Sequence, residues 1–102
     1  MLVDVSSTAR EAGITFPVAL TRAVWDRYVA VPEGVIAQDE PGRLWDIVWL
    51  LRLAARRGGE EIRFTVHVRN TNRAPRPVTL KALCGPGDDA EPVITVLLPD
   101  ED

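Results

Sequence analysis

The spacing of apolar positions changes from helical to strand-like near the middle of the chain. Before residue 60 apolar side chains recur every three or four positions, and after it they alternate with polar ones. The clearest helical stretch follows Asp39, a suitable N-cap, and Pro41, which fits a first turn. It ends in Arg56-Arg57 and Gly58-Gly59, and its predicted buried face comprises Leu44, Ile47, Val48, Leu51 and Ala55.

Two further elements are predicted in the first third of the chain. A helix is expected from Phe16-Pro17 to Pro32, because Leu20, Val24 and Tyr28 follow one another at intervals of four. Ahead of it, Thr8 and Glu11 have capping-box spacing and Gly13 ends any helical turn that forms. Leu2–Val5 has the alternation of a short strand.

Three strands are predicted after residue 60, over residues 61–69, 78–84 and 93–98. The third, VITVLL, is apolar on both faces, which would promote aggregation at an exposed sheet edge. We therefore expect it to be central, with Leu2–Val5 adding beyond it, or to be covered by a second subunit.

The predicted fold class is α+β, with two main helices packed on one face of a mostly antiparallel sheet of three to four strands. A chain of 102 residues is of single-domain size. We expect residues 1–102 to form one domain, with the acidic tail at 99–102 as its candidate mobile segment.

Charge is unevenly distributed along the chain. The last 21 residues contain six acidic side chains and no basic one, whereas residues 42–81 hold nine basic and three acidic groups. Clustered carboxylates favour binding to Arg or Lys on a protein partner. The predicted partner-binding acidic surface consists of Asp88, Asp89, Glu91, Asp100, Glu101 and Asp102.

Candidate catalytic and ligand-binding groups are few. His67 lies on the polar side of its strand with no motif that places a nucleophile nearby, and Cys84 has the inward parity of a core residue. The loop that begins at Gly85 has neither phosphate-loop nor calcium-loop spacing. We therefore predict no catalytic residues, no cofactor, no metal site and no enzymatic activity.

Trp45 and Trp49 lie four residues apart, beside the buried face of the second predicted helix. In that position they would either cover the rim of the core or, if exposed together, form a possible interface. The arginines between residues 52 and 76 form no recognised nucleic-acid motif, so nucleic acid is not an expected partner. The longest apolar run, Ile47–Leu51, is too short to span a membrane, and no membrane association is expected.

The chain resembles a small uncharacterised family found in bacterial phages, plasmids and other mobile elements. The segments that carry the resemblance are FPVALTRAVWD (16–26), DEPGRLWDIVWLLRLAARR (39–57) and VTLKALCGPGDDAEPVITVLLPDED (78–102), of which CGPGDDAEPVI is the most specific. The family has no established activity, so no site residues carry over. The resemblance implies an accessory protein of a mobile element, in the cytoplasm of a bacterial host cell.

The expected function is therefore non-enzymatic binding of a protein partner, such as a host defence complex that the chain would inhibit in the manner of an anti-CRISPR protein. The alternative is a homodimeric structural or DNA-associated protein. A single cysteine excludes an intramolecular disulfide and agrees with a reducing compartment.

Overall fold

The computed structural model describes residues 1–86 and 91–101. Within these ranges the chain forms five strands and three helical segments. In chain order they are β1 (Leu2–Asp4), α1 (Ser6–Glu11), β2 (Val18–Thr21), α2 (Arg22–Val24, continued by a π-helical turn at Trp25–Val29), α3 (Glu40–Ala55), β3 (Glu61–Val68), β4 (Arg76–Pro86) and β5 (Pro92–Leu97).

The strands form one mixed sheet in the order β1-β2-β5-β4-β3. Neighbours pair antiparallel except β2 and β5, which run parallel with Val18 opposite Ile94 and Leu20 opposite Val96. The predicted α+β class is confirmed. The predicted number of strands was too low, and the parallel pair makes the sheet mixed.

The missing strand lies where a helix was predicted to begin. Residues 18–21 form β2, and helical structure starts only at Arg22, where the Thr21 hydroxyl accepts a hydrogen bond from the Val24 main-chain N–H. Val18 and Leu20 are both fully buried, as every second residue of a half-buried strand should be. This four-residue segment is compatible with the apolar spacing of a helix or of a strand. Its pairing with β1 and β5 determines that it is a strand.

Of the two arrangements that the sequence left open for the third apolar strand, the structure has the central one, since β5 lies between β2 and β4. The neighbour differs from the expected one, because β2 rather than β1 pairs with it. Leu97 of β5 does not belong to the main cluster of buried apolar side chains, yet it is only 2% exposed.

The second predicted helix is confirmed as α3. The Asp39 carboxylate accepts a hydrogen bond from the Gly42 main-chain N–H at 2.6 Å, and Gly58 follows the helix with a φ of 73°. The apolar side of α3 packs over β3 and the neighbouring strands. Along these strands, every second pair of facing residues points toward the core. The largest buried core side chains are Leu20, Ile47, Leu51, Leu80, Val18, Val24, Val29, Val48, Val66 and Val96.

Arg43 joins three segments at one end of the molecule. It is only 6% exposed, and its Nε donates to the Tyr28 carbonyl at 3.0 Å while Nη1 donates to the Arg69 carbonyl at 2.9 Å. Its Nη2 donates to Asn70 Oδ1 at 2.6 Å. Burial lowers the pKa of Arg43, and the nearby Arg69 charge adds to that effect. The guanidinium thereby ties the end of the π-helical turn to the end of β3.

Among the helices in residues 1–86 and 91–101, none has the length and apolar composition needed to cross a bilayer.

Candidate functional site

Three large apolar side chains form a line on the outward side of α3. Trp45, Trp49 and Leu53 are 37%, 41% and 40% exposed, and their spacing of four places them one above another. The two indole rings stack with centroids 6.0 Å apart and planes inclined by 16°. We call these three residues the tryptophan surface. The two tryptophans are thus partly exposed together, which is the condition that the sequence set for a possible interface.

Arg52 lies beside the tryptophan surface. Its Cζ is 5.4 Å from the centre of the Trp49 ring, within range of a cation–π interaction. The chain also passes close to this side chain at Gly13, whose φ is 96°, where a Cβ would lie 2.8 Å from Arg52 Nε. Arg52 therefore contacts both an aromatic ring and a stretch of backbone.

The predicted acidic surface is divided by the fold. Asp88, Asp89 and Asp102 lie outside the described residues. Glu91 and Asp100 are exposed, the first just ahead of β5 and the second in the turn that follows it. These positions are separated by the length of β5.

Glu101 is used within the chain. Its Oε1 accepts hydrogen bonds from the Thr21 hydroxyl and from the Leu98 main-chain N–H, both at 2.8 Å. Lys81, 9% exposed, donates from Nζ to the main-chain carbonyls of Glu101 at 3.0 Å and Pro99 at 3.3 Å. These contacts fold the C-terminal turn back onto the sheet.

His67 is exposed on β3, opposite Pro77 of β4. It lines a small cleft of about 160 Å³ together with Arg43, Asp46 and Arg69. Among residues 1–86 and 91–101, no three His, Cys, Asp or Glu side chains are grouped so that they could hold a metal ion.

Cys84 has the inward parity expected of it but is only half-buried. It lies in a larger cleft of about 470 Å³ at the C-terminal end of α3. The described residues lining this cleft are Gly13, Ile14, Thr15, Phe16, Leu51, Arg52, Ala55, Arg56, Gly58, Gly59, Ile62, Ala82, Cys84 and Ile94.

Sequence reasoning missed this cleft and the position of Arg52. Ala55 was predicted to face the core but is half-buried and lines the cleft, while its neighbour Ala54 is buried. The sequence signal that could have indicated the cleft is a pair of small residues at the end of a helix, Ala55 and Gly58. Small side chains there leave space above the larger apolar side chains of the strands. Nothing in the local pattern indicates that the segment at Gly13 approaches Arg52.

No curated protein and no solved structure matches the chain. A family model does match, and it covers residues 1–102. The chain therefore belongs to DUF6573, a family of unknown function.

Proposed function

We propose that this chain is a non-enzymatic binding protein that docks a protein partner through the outward side of α3. The observation that supports this most is the solvent-exposed stack of Trp45 on Trp49. Tryptophan and arginine are enriched among the residues that dominate interface energies, and each such residue typically contributes about 2 kcal/mol or more. Leu53 extends the patch and Arg52 adds a positive charge at its side.

The biological setting that we propose is a bacterial mobile element, with a component of a host defence complex as the partner. Support comes from the resemblance carried by the segments at 16–26, 39–57 and 78–102. A chain of 102 residues with an exposed aromatic patch is suited to blocking a surface on a larger assembly.

A second contact is proposed at the acidic positions. Glu91 and Asp100 are exposed carboxylates that would meet Arg or Lys on the partner and increase the association rate. Glu101 is best left out of this test, because its carboxylate already holds the Thr21 hydroxyl and the Leu98 N–H. Neutralising it would change stability and binding together.

Affinity capture from a natural host lysate tests the tryptophan surface. We expect wild-type protein to retain a specific partner and Trp45→Ser/Trp49→Ser to lose it. Ile36→Ser is the matched control, since Ile36 is 68% exposed but lies in the loop before α3. Equal capture by the wild type and the double tryptophan variant would contradict the proposal. A Glu91→Gln/Asp100→Asn variant measures the acidic contribution separately.

The homodimeric alternative places a second copy of the chain on the same patch. Sedimentation of purified protein distinguishes the two cases, because a dimer has about twice the 11.3 kDa mass of the chain. A dimer that Trp49→Ser converts to monomer would favour the alternative, whereas a wild-type monomer supports a different partner.

The inhibitory role has its own test. Expression of the chain in bacteria with an active CRISPR or restriction system should raise the plating efficiency of a targeted phage, and Trp45→Ser/Trp49→Ser should abolish the rise. Unchanged plating across such strains would contradict the defence-inhibitor role while leaving a captured partner to be explained otherwise.

A further inference from the structure

The cleft at the end of α3 has the size and lining of a small-molecule site. Its volume of about 470 Å³ falls within the range of roughly 300–1,000 Å³ that is usual for ligand pockets. Its floor is formed by sheet residues, with Ile62 opposite Ala82 and Cys84 opposite Ile94 on paired strands. Leu51 and Ala55 form the helical wall, and Phe16, 47% exposed, also lines the cleft.

The cleft exists because α3 ends before the strands that it covers. The last helical residue is Ala55, and the glycines that follow carry no side chain to fill the space over β3 and β4. Ile62 and Cys84 are consequently only half-buried, in contrast to Leu80 farther along β4, which is fully buried. Apolar strand residues are thus left open to a ligand.

Among the residues that the structure describes, the charged groups lining this apolar cleft are all positive. Arg52 and Arg56 are among its fourteen described lining residues, which include no Asp or Glu. Arg52 is held by the Trp49 ring at 5.4 Å and by the close approach of Gly13. An arginine whose side chain is already positioned loses less conformational freedom when it binds an anion.

We propose that this cleft binds a small amphipathic anion, an unbranched alkyl chain that ends in a carboxylate. The alkyl chain lies against Phe16, Ile62 and Cys84, apolar lining residues that keep accessible surface, and its burial supplies the non-directional part of the affinity. The carboxylate accepts hydrogen bonds from the guanidinium groups of Arg52 and Arg56, whose planar donors match its two oxygens. The site shares Arg52 with the edge of the tryptophan surface, so Arg56→Gln and Ala55→Phe are the variants that test the cleft separately from the docking proposal.

Calorimetric titration with sodium decanoate, kept below its micelle-forming concentration, tests the proposal. We expect saturable binding to one site, and no comparable binding of decyltrimethylammonium, which has the same chain and the opposite charge. Arg52→Gln and Arg56→Gln should each weaken decanoate binding by about tenfold, the loss typical of a charge-assisted hydrogen bond. Arg57→Gln removes the same charge from the next residue, which does not line the cleft, and should bind as the wild type does.

Two further measurements locate the ligand. Cys84 is the single cysteine of the chain and lines the cleft, so decanoate should slow its alkylation by iodoacetamide and decyltrimethylammonium should not. Ala55→Phe fills the helical wall of the cleft at a half-buried position and should abolish binding. Circular dichroism establishes that each variant is folded before it is titrated.

Several results would overturn the proposal. They are equal binding of decanoate and the cationic analogue, unchanged affinity in Arg52→Gln/Arg56→Gln, an unprotected Cys84 at saturating decanoate, and absence of binding to the folded wild type. Trp45→Ser, which leaves the cleft lining intact, should bind decanoate normally even where it no longer captures a protein partner.

Discussion

Lys81 donates a hydrogen bond to the main-chain carbonyl of Glu101 at 3.0 Å, while the Glu101 carboxylate binds other donors. Two oppositely charged residues thus stabilise the same turn without forming an ion pair with each other. The carboxylate holds Thr21 and Leu98, and the ammonium group holds the carbonyls beyond β5. Glu101, predicted from the sequence to be part of a partner-binding surface, therefore has a role within the fold.

Glu101→Ala should lower the free energy of unfolding by about 2 kcal/mol, because two donors lose a charged acceptor in a half-buried site. Glu101→Gln keeps an acceptor oxygen and should lose less than half as much. Asp100→Ala is the neighbouring exposed control, with an expected change within about 0.5 kcal/mol. Urea unfolding followed by tryptophan fluorescence gives all three values, and equal effects of the two Glu101 variants would contradict the assignment.

Arg43→Met should destabilise the protein by about 3 kcal/mol, since it removes donors to the Tyr28 and Arg69 carbonyls and to Asn70. Arg43→Lys keeps the charge but not the planar fork, and an intermediate loss is expected. Arg73→Met, at an exposed arginine in the loop after β3, should change stability little. An Arg43→Met variant as stable as Arg73→Met in urea would refute the role of Arg43 in joining these segments.

Hydrogen bonds from the Ser6 hydroxyl and main-chain N–H hold the pKa of Asp4 below its ordinary value of 3.8. A depressed folded-state pKa contributes stability that is fully present above 3.8 and is lost as the pH falls through the folded-state value. Asp4→Asn should therefore be less stable than the wild type at pH 6, with a difference that shrinks below pH 4. Thermal melts from pH 2.5 to 6 measure it, and a difference that grows on acidification would contradict this sign.

Gly13→Ala and Gly34→Ala separate backbone strain from a side-chain clash. Both glycines have positive φ, 96° and 84°, but only at Gly13 would a Cβ meet another group, Arg52 Nε at 2.8 Å. Gly34→Ala should cost about 1 kcal/mol, the usual penalty of a left-handed L-residue. Gly13→Ala should cost more, because Arg52 must also shift to make room for the new Cβ. If urea unfolding gives equal losses of unfolding free energy for the two variants, Arg52 moves aside without destabilising the protein and the prediction is wrong.

The tryptophan pair illustrates how far residue spacing reaches. A separation of four on a helix predicts that Trp45 and Trp49 adjoin, and they stack. Spacing does not say whether another element covers them, because that depends on where the remaining helices pack. The same holds for the acidic residues. Glu101 has the charge of a typical surface residue, but its carboxylate accepts a hydrogen bond from Thr21, 80 positions away in the sequence.

The sequence by itself determined α3 with its Asp39 cap, the three strands after residue 60 and the α+β class. These follow from local periodicity and capping chemistry, which a short window of residues contains in full. Only the tertiary structure decided that residues 18–21 are a strand, because their pairing with β5 joins parts of the chain more than 70 residues apart. It also decided the cleft at Ala55 and the close approach of Gly13 to Arg52, since both arise where segments distant in sequence meet or leave space between them.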